Sequence, residues 1–381
     1  MTTLALCPTH VLMPAGFVAE RCVVVEGGTI ARVVPLAACP ANATRRDLLG
    51  DLVPGFIDLQ VNGGGGVLFN DAPSVAGIEA IGRAHRRFGT TGFLPTLISD
   101  DIAVVERGLR AVEAAIERGI PGVLGIHVEG PFLNASKKGI HDASKMRVLD
   151  AAAIELLTSL KRGVTLVTLA PELAPPGAVR ALTSRGVLVA AGHTAASYEE
   201  LSASIREGLR GFTHLYNAMS PLAARAPGAV GAALDHASTW VGAICDGHHV
   251  HEAALRIAYR AKGAERFVLV TDAMPTVGSV LKEFILGGRR ILAKDGRCAA
   301  EDGTLAGSDL DMASAVRHAM RALGVDLATA VRMASAAPAS AIGLTGQVGA
   351  IEAGLRADFV LLDHAQQVIS TWIGGEELRS Q

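Results

Sequence analysis

Eight times along this chain an apolar stretch ends on a polar or turn-forming tip, and in most cases a helical pattern follows. The stretches are GFIDLQVNG (55–63), TGFLPTLIS (91–99), LGIHVEGPF (124–132), TLVTLAPE (165–172), VLVAAGHT (187–194), GFTHLYNA (211–218), VGAICDGH (241–248) and FVLVTDAM (267–274). Short apolar, β-branched runs are what strands buried on both faces require. Alanine-rich helical patterns fill most gaps, as at 76–87, 102–118 and 197–207. Eight strands alternating with helices predict a parallel (β/α)8 barrel of the TIM type. A doubly wound open sheet fits less well, because no GxGxxG opens a helix after the first strand. The barrel is expected over 53–345. Residues 1–52, Val-rich with a turn-like Glu26-Gly27-Gly28, and residues 346–381, with a turn and one strand, are expected to join into one small β-sandwich.

The polar side chains fall where such a barrel would use them. Strand-forming residues run from Val123 to Val128, then comes Glu129, then Gly130-Pro131, which breaks the ladder. Alternation puts His127 and Glu129 on one face. A charge there is costly unless something pairs with it. Glu129, His193, His214 and Asp272 each lie at or near the C-terminal end of a different expected strand, the rim where barrel enzymes build their sites. A lone strand histidine is more often hydrogen-bonded structure than ligand; four such residues at strand ends reverse that expectation. One carboxylate and two imidazoles suit a borderline ion such as Zn2+ and leave a position for water. Such a site brings the pKa of water to about 7 and polarises a carbonyl. Asp272 can then act as general base and afterwards as acid toward a leaving amine.

Composition removes other classes. Lys+Arg 35 against Asp+Glu 37 gives a net charge of -2, which argues against a nucleic-acid or anionic-membrane surface as the main partner. The start, MTTLALCPTHVLMPAGF, has no basic n-region, and no apolar run approaches the ~20 residues of a membrane span. Five cysteines, Cys7, Cys22, Cys39, Cys245 and Cys298, are odd in number without CxxC spacing, which argues against disulfides and a zinc knuckle and for the cytoplasm.

VPGFID (53–58), HVEGPF (127–132), GHT (192–194), THLYNAM (213–219), DGHH (246–249), TDAM (271–274) and LAGS (305–308) occur in this order, with a G-x-I-x-x-G-x-x-A-D terminal signature. Together they resemble the N-acetylglucosamine-6-phosphate deacetylase family of the amidohydrolase superfamily, over essentially the whole chain. HxEGPF and THLYNAM are specific to that branch; GFID and ADFV mark only the superfamily. The resemblance implies metal-dependent hydrolysis of the 2-acetamido group of N-acetyl-D-glucosamine 6-phosphate, giving glucosamine 6-phosphate and acetate, in amino-sugar catabolism or recycling. It makes Glu129, His193 and His214 the metal ligands and Asp272 the catalytic acid–base. Many superfamily members carry His-x-His after GFID for a second metal; here the positions are Gln60 and Asn62, poor ligands for a transition metal. The tip Leu169-Ala170-Pro171-Glu172 also lacks a lysine that could bridge two ions. One divalent ion per chain is expected, Zn2+ ahead of Fe2+, Co2+ or Mn2+. Gln60 and Asn62 hydrogen-bonding the pocket floor is compatible with that.

The resemblance also supplies the substrate side. Ile140 and His141 would lie by the acetyl group, His141 as a donor to the oxyanion, worth several kcal/mol. Asn217 and Ala218 would meet the phosphate with Arg225, whose guanidinium suits phosphate. His249, rather than His248, would contact sugar hydroxyls. Leu305, Ala306 and Gly307 would line the acetyl end. His127 is expected to support Glu129, while His10, His85, His236, His251, His318 and His364 carry only a structural reading. A homodimer is expected, in which Arg225 could serve its own pocket or a neighbour's. Alternatives are the galacto epimer, N-acetylgalactosamine 6-phosphate; a dihydroorotase-like enzyme, disfavoured by the missing His-x-His and lysine; and an inactive barrel used in assembly, against which the retained four residues argue.

Overall fold

A computed structural model describes residues 3–379. Its centre is one parallel sheet of eight strands in strict chain order. We number them β1 (Phe56–Val61), β2 (Thr90–Ile98), β3 (Gly125–Glu129), β4 (Val164–Leu169), β5 (Leu188–Ala191), β6 (Gly211–Phe212), β7 (Trp240–Ile244) and β8 (Phe267–Val270). Five fall inside the stretches expected to form them, and β2, β4 and β7 each begin one residue earlier. Helices cross between them at Val75–Arg86, Ile102–Glu117, Ala151–Leu157, Ala178–Thr183, Tyr198–Arg206, Gly228–Asp235 and Glu252–Lys262, with Met312–Leu323 after β8. Local chemistry sets their starts. Ser197 and Glu200 form a capping box that opens the helix Tyr198–Arg206, and Asp150, Asp311 and Asp326 each accept a backbone N–H at the start of theirs. No helix of the described residues is long and apolar enough to cross a membrane.

The sheet becomes a barrel at the seam between β1 and β8. No ladder joins these strands; single contacts do, a parallel bridge from Val61 to Ala273 and the Asp272 N–H donating to the Gln60 carbonyl at 3.0 Å. Asp58, fully buried on β1, reinforces the join. Its carboxylate accepts the Thr271 hydroxyl and the backbone N–H groups of Thr271 and Gln60. Asp58 therefore fixes the two strand ends that carry Gln60 and Asp272.

Besides a two-stranded hairpin of Gly63–Gly64 and Val67–Leu68, two larger sheets accompany the barrel. The chain ends share one sheet, in which Phe359–Leu362 pairs antiparallel with Thr44–Pro54 and the sheet continues through Leu4–Met13, Arg21–Glu26 and Thr29–Pro35. The sequence reading contained no further sheet, yet an antiparallel meander of four strands, Glu283–Leu286, Arg289–Lys294, Arg297–Ala300 and Leu305–Ser308, is inserted after β8. Its turns, Gly287-Gly288 and Asp295-Gly296, are hairpin signals in the sequence. Its last strand returns to the rim through an Ala273–Ser308 bridge.

Burial pushes Asp58 up to about 7, against the hydrogen bonds that favour its ionised form. Between the ordinary value of 3.8 and about 7 the unfolded chain has released a proton that the folded chain retains. The stability contributed by this group is thus fully present below the lower value and is lost as pH rises toward the upper one. Asp58→Asn, which cannot ionise, should flatten the fall of Tm with pH across that window. Thermal melts of both proteins in matched buffers check this; identical slopes would remove Asp58 from the account.

Candidate active site

The C-terminal rim gathers the residues that the strand tips point to. Glu129 is the last residue of β3, and His193, His214 and Asp272 stand two residues beyond the ends of β5, β6 and β8. Glu129, His193 and His214 are buried to 2%, 6% and 4% exposure, so no bulk water neutralises the carboxylate. Glu129 Oε1 lies 3.2 Å from His193 Nε2 and 2.9 Å from His214 Nε2, and the two nitrogens are 3.0 Å apart. Burial alone would raise the Glu129 pKa, but the hydrogen bonds and charge of the two imidazoles hold it well below the carboxylate range. Burial would lower His214, and Glu129 outweighs it and raises it.

This triangle fits a metal ion. His193 Nδ1–H donates to the Lys137 carbonyl at 2.7 Å, so in the neutral ring Nε2 presents a lone pair to the triangle. Three acceptor atoms then converge with few protons to share. A tetrahedral ion with ligands at ~2.0–2.1 Å needs donors ~3.3 Å apart. The observed separations of 2.9, 3.0 and 3.2 Å are close to that, and these atoms form one of the clusters among the described residues that could hold a metal ion.

Asp272 faces the same space, tethered by the amides that replace His-x-His. Gln60 Nε2 donates to Asp272 Oδ1 at 3.0 Å and to Glu129 Oε2 at 3.1 Å, and Asn62 Nδ2 donates to Asp272 Oδ1 at 2.6 Å. The pocket-floor reading of these amides is thus the one seen. Both donors engage Oδ1, which leaves Oδ2 directed to chemistry. Burial, then the Glu129 charge, pushes Asp272 up to about 6. Gly307, at φ +61°, lies against it: a Cβ there would sit 2.7 Å from the Asp272 carbonyl oxygen.

His141 lies against the His193 ring, its centroid 4.4 Å away. Burial and His193 push its pKa to about 3, so it is neutral. Its Nδ1 accepts the Ser99 N–H at 3.3 Å and lies 2.8 Å from Ser99 Oγ, which places the proton on Nε2 as a donor. Gly130 makes room for this arrangement. At φ +86°, with a cis bond to Pro131, any Cβ it carried would lie 2.3 Å from Ser99 Oγ. His249 is held by Asp246 through Nδ1 at 2.6 Å. These groups line a cavity of about 270 Å³ with Glu129, His193, His214, Asp272, Ile140, Asn217, Ala218, Leu305 and Gly307.

Three residues named from the sequence do not line this cavity. Arg225 is exposed on the loop before the helix Gly228–Asp235 and does not line this cavity of its own chain. Ala306 is fully buried in the packing behind the meander, so only its neighbours Leu305 and Gly307 face the pocket. His127 bonds Thr168 Oγ1 at 2.7 Å and Thr96 Oγ1 at 3.4 Å rather than Glu129. Sequence reasoning missed Met274, Ile98, Ile244 and Thr304 in the lining. It also missed Glu172, which accepts from Asn134, Thr194 and the Ala195 N–H and so braces the turn carrying His193. A carboxylate at a strand tip was the available signal.

A (β/α)8 barrel with Glu, His, His and an acid–base Asp on its rim is the architecture of a barrel hydrolase able to hold one metal. The Amidohydrolase family matches residues 52–378, and the chain belongs to that family. It is 45% identical over 329 residues, 86% of this chain and 83% of the relative, to an N-acetylgalactosamine-6-phosphate deacetylase of Shewanella sp. (strain ANA-3). It is 34% identical over 358 residues, 93% of each chain, to the N-acetylglucosamine-6-phosphate deacetylase of Haemophilus influenzae. The crystal structure of N-acetylglucosamine-6-phosphate deacetylase from Pasteurella multocida matches with a TM-score of 0.95 at 31% identity, covering 99% of this chain and 100% of that one.

Asn62 stabilises the ionised form of Asp272, so Asn62→Leu should raise the pKa of that carboxyl. Losing a charge-assisted hydrogen bond of ~1.5–3 kcal/mol corresponds to about 1–2 pKa units. A base must be deprotonated to act, so the acid limb of kcat/KM should move up in pH by that amount. An unmoved limb would mean that Asp272 does not govern it.

Proposed function

We propose that this chain is a metal-dependent deacetylase that hydrolyses the 2-acetamido group of N-acetyl-D-glucosamine 6-phosphate to glucosamine 6-phosphate and acetate. The observation that carries the reading is the convergence of Asp272, with Oδ2 free, on the Glu129–His193–His214 triangle inside one small cavity. At about 270 Å³ the cavity lies near the low end of small-molecule pockets, ~300–1,000 Å³. That suits a single sugar rather than a polymer. The deacetylase activities of the relatives at 34% and 45% identity support it.

Glu129, His193 and His214 would hold the ion, for which we favour Zn2+. When bound it would supply positive charge that polarises the amide carbonyl and acidifies water. Asp272 Oδ2 accepts the proton of the attacking water while Gln60 and Asn62 fix Oδ1. His141 Nε2–H donates to the carbonyl oxygen as negative charge grows there; its low pKa keeps the ring neutral, and the Ser99 N–H on Nδ1 keeps the proton on Nε2. Protonated Asp272 then returns its proton to the nitrogen, so that the amine, not an amide anion, departs. His249 and Asn217 are placed to orient the sugar. We assign the enzyme to the cytoplasm as a homodimer in which the exposed Arg225 reaches the phosphate in its partner's pocket.

The 45% identity to an N-acetylgalactosamine-6-phosphate deacetylase favours a second reading, the galacto epimer. Acetate release from the two epimeric phosphates, measured side by side, decides between them; release from neither would overturn the proposal. Asp272→Asn should keep the fold and lower kcat by roughly 10²–10⁴-fold. Near-normal turnover in that variant would assign the base elsewhere.

Arg225→Ala tests the phosphate assignment. A charge-assisted hydrogen bond of ~1.5–3 kcal/mol, at ~1.4 kcal/mol per decade, is worth roughly 10–150-fold in kcat/KM on the phosphorylated sugar. Hydrolysis of the unphosphorylated sugar should barely change. Equal losses on both would make Arg225 structural.

A further inference from the structure

Away from the barrel, three of the five cysteines meet in the sheet formed by the chain ends. Cys7 lies on Leu4–Met13, Cys22 on Arg21–Glu26, and Cys39 ends the short 3-10 turn Leu36–Ala38. The first two strands pair antiparallel with Leu4 opposite Val25, Ala5 opposite Val24 and Leu6 opposite Val23, a register that leads on to Cys7 opposite Cys22. Side-chain alternation then sends Ala5, Cys7, Cys22 and Val24 to one face, where they form a small core. Leu6, Val23 and Val25 go to the other face. Cys39 folds over the first face, its Sγ 3.3 Å from that of Cys22. The three sulfurs all lie within 4.8 Å of one another.

We infer that Cys7, Cys22 and Cys39 form a second metal site, one that binds a soft, thiophilic ion of the Zn2+ or Cu+ class through three thiolates. The spacing fits. Zn–S bonds of ~2.3 Å in tetrahedral array put sulfurs ~3.8 Å apart. The closest observed pair at 3.3 Å and the outer limit of 4.8 Å bracket that figure. Donor type fits as well, since soft sulfur ligands select such ions over the harder divalent cations. Ala31, Val34, Leu36 and Ala43 pack against this group, and the positive charge of Arg45 acts on Cys7 in the direction that favours its thiolate. Cys39 is half-buried while Cys7 and Cys22 are buried, which gives an entry path on one side. Burial pushes the Cys7 and Cys22 thiols up, so without an ion they remain protonated and unreactive. Ligation exchanges up to three thiol protons for one cation and needs no oxidant. Binding at this site should therefore strengthen as pH rises. An ion there would tie two strands and the following turn together, at a place separate from the barrel chemistry and independent of the substrate assignment.

Cadmium titrated into the chelator-treated, reduced full-length chain tests this. The Glu129–His193–His214 set contains no sulfur, so any thiolate-to-metal charge-transfer absorption reports the cysteines alone. We expect one equivalent to develop the band, at lower Cd2+ concentration as pH is raised. Cys22→Ser and Cys39→Ser should lose it, and Cys245→Ser and Cys298→Ser should retain it. Cys39, half-buried at a turn, is the variant least able to disturb folding. Absence of the band, its survival in Cys39→Ser, or a Cys22–Cys39 disulfide in the purified chain as the stable state would each overturn the assignment and leave the three thiols as core packing.

Discussion

A carboxylate buried to 2% exposure organises this molecule's rim. Glu129 is tolerable there only because His193 and His214 stand within 3.2 Å of one of its oxygens and Gln60 donates to the other. Those partners come from β1 and from the ends of β5 and β6, so one charge couples three separate parts of the sheet. The coupling shows in the backbone. His193, His214, Tyr216, Ala218 and Asp272 all have positive φ, from 34° to 78°, and make up most of the non-glycine residues of that kind in the described chain. Such conformations cost of order 1–3 kcal/mol each and persist only where the surroundings over-determine them. Here the surroundings are the barrel itself, and most of the strain falls on the rim segments that carry the pocket residues, with Glu20, Asp295 and Gln366 elsewhere.

Asp272 depends on the seam rather than on a ladder. Asp272 follows the end of β8, where no continuous pairing to β1 exists, and its position is set by Asp58 gripping Thr271 and by two amides gripping Oδ1. Gln60 donates to Glu129 and Asp272 together. A histidine pair at positions 60 and 62 would offer lone pairs to a second ion; amide N–H groups instead offer protons to two carboxylates. The exchange shows how two acids coexist in one pocket.

The barrel was legible because its signal is local and repeated: apolar runs, polar tips and helical spacers recur eight times. The ligands were legible because strand ends expose what alternation would otherwise hide. Gln60 and Asn62 could be named from sequence, but their grip on Asp272 depends on β1 and β8 becoming neighbours across more than two hundred residues. The cysteines illustrate the limit from the other side. Spacing without CxxC argued against a zinc knuckle, and nothing local in the sequence brings Cys7, Cys22 and Cys39 together; an antiparallel register and a following turn do. The meander at 283–308 was different, since its Gly-Gly and Asp-Gly turns were visible and went unread beside the stronger barrel rhythm.

The pocket's charge bears on what must complete it. Its lining carries Glu129 and Asp272, and among the described residues it holds no lysine or arginine. A divalent ion offsets the two carboxylates and leaves nothing for a phosphate. A dianion brought into such a place without a countercharge would be strongly disfavoured. Asn217 and Ala218 can donate hydrogen bonds but not charge. For the proposed phosphorylated substrate the countercharge would have to come from outside this lining. Arg225 sits exposed in a short turn bridged between Ala223 and Ala226. An arginine so placed is of small use to its own fold. Its position makes sense if the loop inserts into a second copy, and in that case the enzyme would gain its phosphate selectivity only on assembly.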